Sequence, residues 1–221
     1  MPVVIAGLIL SFLVMLLFGG TEIDRGLLLL FSGADTPRLD QAARVLAIAC
    51  APTPLLLLLV AGAGFLFFRS NWRAGLLLIA IALAGRLLVD GLQAASEGLR
   101  PSVDERPSPG QHSLYPSAHA ANATITGFAL AYLLTRHSPA RALALGAAAA
   151  LALLVGAARL VEGAAWPSDV IGGWALGLAW VLLVLLLARE DLSDGTARAL
   201  RHSPSQGEHD GKPQDRDRPP D

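Results

Sequence analysis

The chain has 221 residues, 53% hydrophobic and only 16% charged, with a formal net charge of −1. Of its 35 charged residues, 13 fall between Glu190 and Asp221, which leaves 22 for the first 189 residues. A soluble fold could not cover its surface with so few polar groups, so the body is read as a membrane protein whose outer face meets lipid. The near-zero net charge gives no electrostatic reason to expect a nucleic-acid partner. With Cys50 as the single cysteine, an intrachain disulfide and a thiolate-held metal cluster are both excluded.

In chain order, uninterrupted apolar stretches predict an all-α bundle of six spans. These are Pro2–Gly19, Ile48–Phe68, Ala74–Leu92, Ser117–Leu134, Ala140–Ala157 and Val170–Leu187, each near the roughly 20 residues a helix needs to cross a bilayer. The first lacks a basic leader and a small-residue cleavage pattern, and is read as a retained span. Between the first two spans, Thr21–Ala47 mixes Glu22, Asp24, Arg25, Asp35, Arg38, Asp40 and Arg44 with leucines. It predicts an amphipathic helix or two along the interface. Residues 1–189 form the expected membrane domain, and 190–221 a disordered polar tail. The arginine-dense Arg69–Arg73 loop places both termini on the cytoplasmic side. The preference for Arg over Lys and the wealth of Ala and Leu suggest a bacterial genome, hence the inner membrane.

Three fragments fall on the opposite, outward side in this topology. Arg100-Pro101 follows the third span, Pro116-Ser117-Ala118-His119 opens the fourth, and Arg159 to Asp169 links the fifth and sixth. Polar groups at such helix ends are costly unless they face a wet cavity or one another. Their types suit a phosphate. Arginine presents a planar fork that matches phosphate oxygens, a helix start offers free N–H groups and a favourable dipole, and histidine can protonate a leaving alkoxide near neutral pH. Blander roles stand beside these. Asp169 and Ser168 suit the start of a helix, Arg100 and Arg159 could snorkel to headgroups, and Arg86 pairs naturally with Asp90 at i+4. Nothing resembles a magnesium carboxylate cage or a Walker-type loop, so the chemistry is expected to need no metal and no cofactor.

Taken together, the fragments resemble the type 2 phosphatidic acid phosphatase superfamily, with its pattern K-x6-R-P, then P-S-G-H, then S-R-x5-H-x3-D. The resemblance covers essentially Thr21 to Leu187, including W-P-S-D-V-x-G-G after the third motif. It implies a lipid phosphate or diphosphate as substrate, hydrolysed through a phosphohistidine at the outer leaflet. In those roles Arg100 and Arg159 clamp phosphate oxygens, Ser117 and the amides from Ala118 onward bind them, His119 is the general acid, and Asp169 orients the nucleophile. Membrane lipids are the expected surroundings; oligomeric state is not legible.

The departures are as informative. The first-motif lysine position is Gln93, the second-motif glycine is Ala118, and the third-motif serine is Ala158. The nucleophilic histidine position is Ala165, and a methyl group cannot form a phosphohistidine. Two histories fit: a deliberate exchange of histidine for alanine, or natural decay into a pseudoenzyme. The chain is therefore expected to be inactive as written; the alternative is a lipid-phosphate binding protein or carrier without turnover, and more remotely a structural subunit. His112 is the one candidate substitute nucleophile on the outward side. With no imidazole at 165, Asp169 is expected to face water or a void and to have Arg159 as its compensating charge.

Overall fold

Four of the helices open on proline, whose fixed φ suits a first turn and whose missing N–H costs nothing there. The computed structural model describes residues 1–32, 37–96 and 114–201, and every regular element among them is an α-helix. In order these are α1 (Pro2–Phe18), α2 (Glu22–Ser32), α3 (Pro37–Ala49), α4 (Pro52–Phe68), α5 (Trp72–Ser96), α6 (Ala118–Thr135), α7 (Arg141–Val161) and α8 (Pro167–Arg201). The chain divides into two units, Met1–Leu186 and Leu187–Asp221.

Helix α6 lies at the centre of the first unit and packs against α4, α5 and α7. Its Ala121, Ile125 and Ala129 share a core with Leu78, Ile81 and Val89 of α5 and Val181 and Leu185 of α8. Two indole N–H groups close their hydrogen bonds on helix carbonyls, Trp180 on Ile81 (2.9 Å) and Trp174 on Ala152 (2.9 Å). In a medium without water such donors need an internal partner. Large apolar side chains on the outside, among them Val3, Leu17, Leu57, Phe68 and Leu87, are exposed, as a lipid-facing surface requires.

Of the six expected spans, three to five are supported. Among the described residues, α5, α7 and Pro167–Ala188 of α8 are each long and apolar enough to cross, and up to five spans result if each bent pair crosses as one. The bent pairs are α1 with α2, turned by 95°, and α3 with α4, turned by 48°. The span expected at Ser117–Leu134 is the discrepancy. Helix α6 forms, but its His119, Asn122, Thr124 and Thr126 lower its hydropathy. It affords those residues because neighbouring helices, rather than lipid, cover much of it: Thr124 and Thr126 are buried.

The Thr21–Ala47 segment forms two helices, as its composition predicts. Both pack against α7, so Asp24 and Leu28, four residues apart on one face of α2, are buried. In the second unit α8 continues through Arg201. The first part of the tail expected to be disordered is thus helical, and residues 202–221 lie outside the described part.

Candidate functional site

The start of α6 is held from three directions. Tyr115 and cis-Pro116 precede it. The Gln93 side-chain amide donates to the Pro116 carbonyl (2.8 Å), Ser96 Oγ donates to the Tyr115 carbonyl (2.5 Å), and the Tyr115 hydroxyl donates to the Phe12 carbonyl of α1. Ser117, buried, is the N-cap of α6, and its hydroxyl makes no cap hydrogen bond. The first-turn N–H groups of α6 therefore lack the usual side-chain acceptor. His119 sits in that turn.

Helix α7 ends in a left-handed glycine turn. Gly163 has φ 63°, its N–H bonds the Leu160 carbonyl, and the Ala164 N–H bonds the Arg159 carbonyl (3.0 Å each). This reciprocal pattern stops the helix one residue after Val161 and reverses the chain toward α8. It leaves Arg159 in the last turn, beside the opening of α6, where its charge acts on His119. Arg159 Nη1 donates to Glu162 Oε2 at 2.8 Å, both side chains being largely buried. Its Nε is buried with no hydrogen-bond partner.

The start of α8 is capped by two buried carboxylates. Asp169, at the third helical position, reaches back so that its Oδ2 accepts the Trp166 N–H (3.1 Å), half of a capping box. Asp24 comes from 144 residues away: Oδ1 accepts the Ser168 N–H (3.0 Å) and Oδ2 the Ser168 hydroxyl (2.7 Å). Asp24 Oδ2 also accepts the Gly20 N–H (3.1 Å), which ties the α1–α2 turn to the same point. Negative charge is favoured at a helix N-terminus. Helices α6 and α8 are then joined directly, the Ser117 N–H donating to the Asp169 carbonyl at 2.9 Å.

Close approach of the two helices depends on glycine. A Cβ on Gly173 would stand 2.7 Å from the Ser117 carbonyl oxygen, and one on Gly177 2.9 Å from that of Ala121. Both obstacles are backbone, which cannot swing aside. The four-residue spacing is the small-residue pattern that brings membrane helices together.

Gln93, Ser117, Ala118, His119, Arg159, Ala165 and Asp169 thus gather where α5 and α7 end and α6 and α8 begin. Arg100 and His112 lie outside the described residues. Ala165 is buried, 3% exposed, and packs in an apolar cluster with Leu28, Ala120, Leu160, Trp166 and Val170. Arg159, expected as the compensating charge of Asp169, pairs with Glu162. The i, i+3 spacing of Arg159 and Glu162 carried that signal. Asp24 was read only as one charge of an interfacial mixture. Among the described residues no three His, Cys, Asp or Glu side chains group as a metal site would require.

The sequence profile of the PAP2 superfamily matches residues 73–192, more than half of the chain. The chain belongs to the PAP2 superfamily. It is 35% identical over 133 residues to phosphatidylglycerophosphatase B of Bacillus subtilis (strain 168), a match covering 58% of this chain and 64% of that protein. The matched stretch is thus a little under two thirds of that relative's length. The crystal structure of a transmembrane PAP2-type phosphatidylglycerolphosphate phosphatase from Bacillus subtilis superposes with a TM-score of 0.73 at 29% identity, covering 84% of this chain and 96% of that one. LpxE of Aquifex aeolicus shares the fold, with a TM-score of 0.58 at 22% identity over 75% of this chain and 96% of its own.

Proposed function

We propose that this chain is a membrane protein of the PAP2 superfamily that binds the phosphate of a lipid phosphate or diphosphate and, as written, does not hydrolyse it. The phosphate would sit at the outward end of the bundle, in a bacterial inner membrane with both termini in the cytoplasm. Arg159 and Arg100 would clamp its oxygens, Ser117 and the first-turn amides of α6 would complete the clamp, and His119 would be the proton donor. Residues 1–189 would carry this function and 190–221 would extend from it on the cytoplasmic side.

The observation that carries the reading is the start of α6. Its buried N-cap hydroxyl is spared from capping, it is fixed to α8 by the Ser117–Asp169 bond, and it lies within the field of Arg159. In a nucleophilic mechanism an imidazole nitrogen would attack phosphorus as His119 gives its proton to the leaving alkoxide, and water would later release the phosphate. Ala165 removes the first of these steps.

The reading of a binding protein without turnover, rather than a working enzyme altered at one position, is favoured by a specific pair of observations. Gln93, where the family pattern has lysine, is committed to the Pro116 carbonyl, and Ala165 is packed among apolar side chains. The deciding experiment is the change Ala165→His, assayed for inorganic phosphate release from a panel of lipid phosphates. Release on that change alone supports a phosphatase lacking only its nucleophile. Silence with Ala165→His and Gln93→Lys combined supports the binding protein.

A further inference from the structure

At the end of the bundle opposite the motif residues, α4 and α6 finish and α5 and α7 begin. A cleft of about 480 Å³ opens there between α4, α6 and α7. It exists because the residues along it are small, among them Gly62 of α4, Gly127 and Ala131 of α6, and Ala144 and Ala148 of α7. Phe65 of α4 and Leu134 of α6, also in the lining, are exposed. Thr135 is the one hydroxyl of the lining, and it donates to the Ala131 carbonyl at 2.5 Å. The cleft therefore suits an apolar occupant.

Its dimensions say which. From Gly127 to Thr135 the cleft follows α6 for about 12 Å. One leaflet of a hydrocarbon core roughly 30 Å thick is about 15 Å deep, so the cleft spans most of a single leaflet. Spread over that length, its volume gives a cross-section of about 40 Å². A helix with its side chains, about 10–12 Å across, needs about 80–110 Å². Hydrocarbon chains fit this space; a second helix does not.

The mouth of the cleft is basic. Arg69 follows Phe65 by four residues and Arg141 precedes Ala144 by three, spacings that keep each on the cleft-bordering face of its helix. Between Phe65 and Arg73 and between Leu134 and Ala144 the chain has four arginines and no Asp or Glu. The Arg141 guanidinium lies over the Tyr132 ring, 4.7 Å from its centroid, and Arg136 has a buried Nε with no hydrogen-bond partner. Arg141 also stands in the first turn of α7, where a cation opposes the helix dipole and no acidic residue offsets it. An anion at this mouth relieves that repulsion. We infer that the cleft seats the acyl chains of an anionic phospholipid from the leaflet opposite the phosphate site, with its headgroup on Arg69 and Arg141. This lipid is a bound companion of the fold and not a substrate, because it lies at the other end of α6 and α7 from His119 and Arg159.

The test follows thermal unfolding of the full chain in detergent as dioleoyl phosphatidylserine or dioleoyl phosphatidylcholine is added. Neither lipid carries a phosphomonoester, so the readout is separate from the Ser117–His119 site. The anionic lipid is expected to raise the melting midpoint saturably, by about 5–10 °C at a hundredfold excess over its Kd, and the zwitterionic lipid by less than half as much. Replacing both arginines, Arg69→Gln with Arg141→Gln, is expected to erase the difference between the two lipids. Ala147→Phe fills the cleft from a position exposed on α7, and is expected to reduce the shift from both lipids while leaving the lipid-free midpoint near the parent's. It also keeps the inference testable if the double arginine variant fails to fold. Equal shifts from the two lipids in the parent, or no shift from either, would overturn the inference. A shift that survives Ala147→Phe would overturn the cleft as the seat, and a lipid preference that survives loss of both arginines would overturn the basic mouth. A parent that runs as a dimer, and as a monomer on Ala147→Phe, would assign the cleft to a second copy of the chain and overturn the lipid.

Discussion

Asp24 gives the sharpest test of how the site is held together. Its carboxylate accepts the Ser168 N–H, the Ser168 hydroxyl and the Gly20 N–H, and it is fully buried. Asp24→Ala strands the two N–H groups at the start of α8 and in the α1–α2 turn, while the hydroxyl can rotate to another acceptor. Each stranded buried donor costs about 1–3 kcal/mol, and loss of a helix cap falls in the same range. Since the two losses share one side chain, about 3 kcal/mol is a fair total. For a chain of this size 1 kcal/mol moves the melting midpoint by about 2–4 °C, so the expected fall is about 6–12 °C. Asp24→Asn keeps an oxygen acceptor and loses the charge, and should fall by about a third as much. The assay is thermal unfolding in detergent followed by fluorescence, since Trp166 and Trp174 flank the affected turn. Because Ser168 adjoins Asp169, phosphate binding should weaken in parallel with stability. Asp24→Ala melting within about 2 °C of the parent would refute the idea that this remote carboxylate anchors α8.

The remaining expectations concern the clamp and the helix approach. Gly173→Ala should lower the melting midpoint and weaken phosphate binding, because its Cβ meets the Ser117 carbonyl at 2.7 Å; Gly91→Ala, with nothing within 4 Å, should leave both unchanged in the same assays. Glu162→Gln should raise phosphate affinity a few-fold, since it removes the anion that competes for Arg159 at 2.8 Å, as read by titration calorimetry. Arg159→Ala should weaken phosphate binding by about tenfold or more and also lower the melting midpoint, because it takes the guanidinium from the largely buried Glu162 carboxylate 2.8 Å away, whereas Asp169 keeps its backbone N–H; an unchanged midpoint would count against the buried pair.

Much of the frame was legible because it rests on local chemistry. The scarcity of charge between Met1 and Arg189 has one physical solution, and the amphipathic mixture after Gly20 forms two helices as expected. Glycine after Glu162 and proline after Trp166 punctuate α7 and α8 by rules that need no tertiary context. Motif residues gather at helix ends because alternating helix direction brings those ends to one side. Hydropathy alone does not mark α6 as a span, because a helix largely covered by its neighbours can carry Thr124 and Thr126 in its interior. Asp24 was invisible because its partner is 144 residues distant, and no local pattern distinguishes it from Asp35 or Asp40. The Gln93 hydrogen bond was hidden for the same reason: it exists only once α5 and the α6 entry meet.

In this chain phosphate binding and turnover should come apart. The direct measurement titrates the unmodified protein with phosphatidic acid and dioctanoyl phosphatidylglycerol phosphate and assays released inorganic phosphate in the same samples. Saturable binding with no release above the protein-free control is the expected result, because the α6 entry and Arg159 are in place and position 165 carries a methyl group. Sustained phosphate release by the unmodified chain would contradict it.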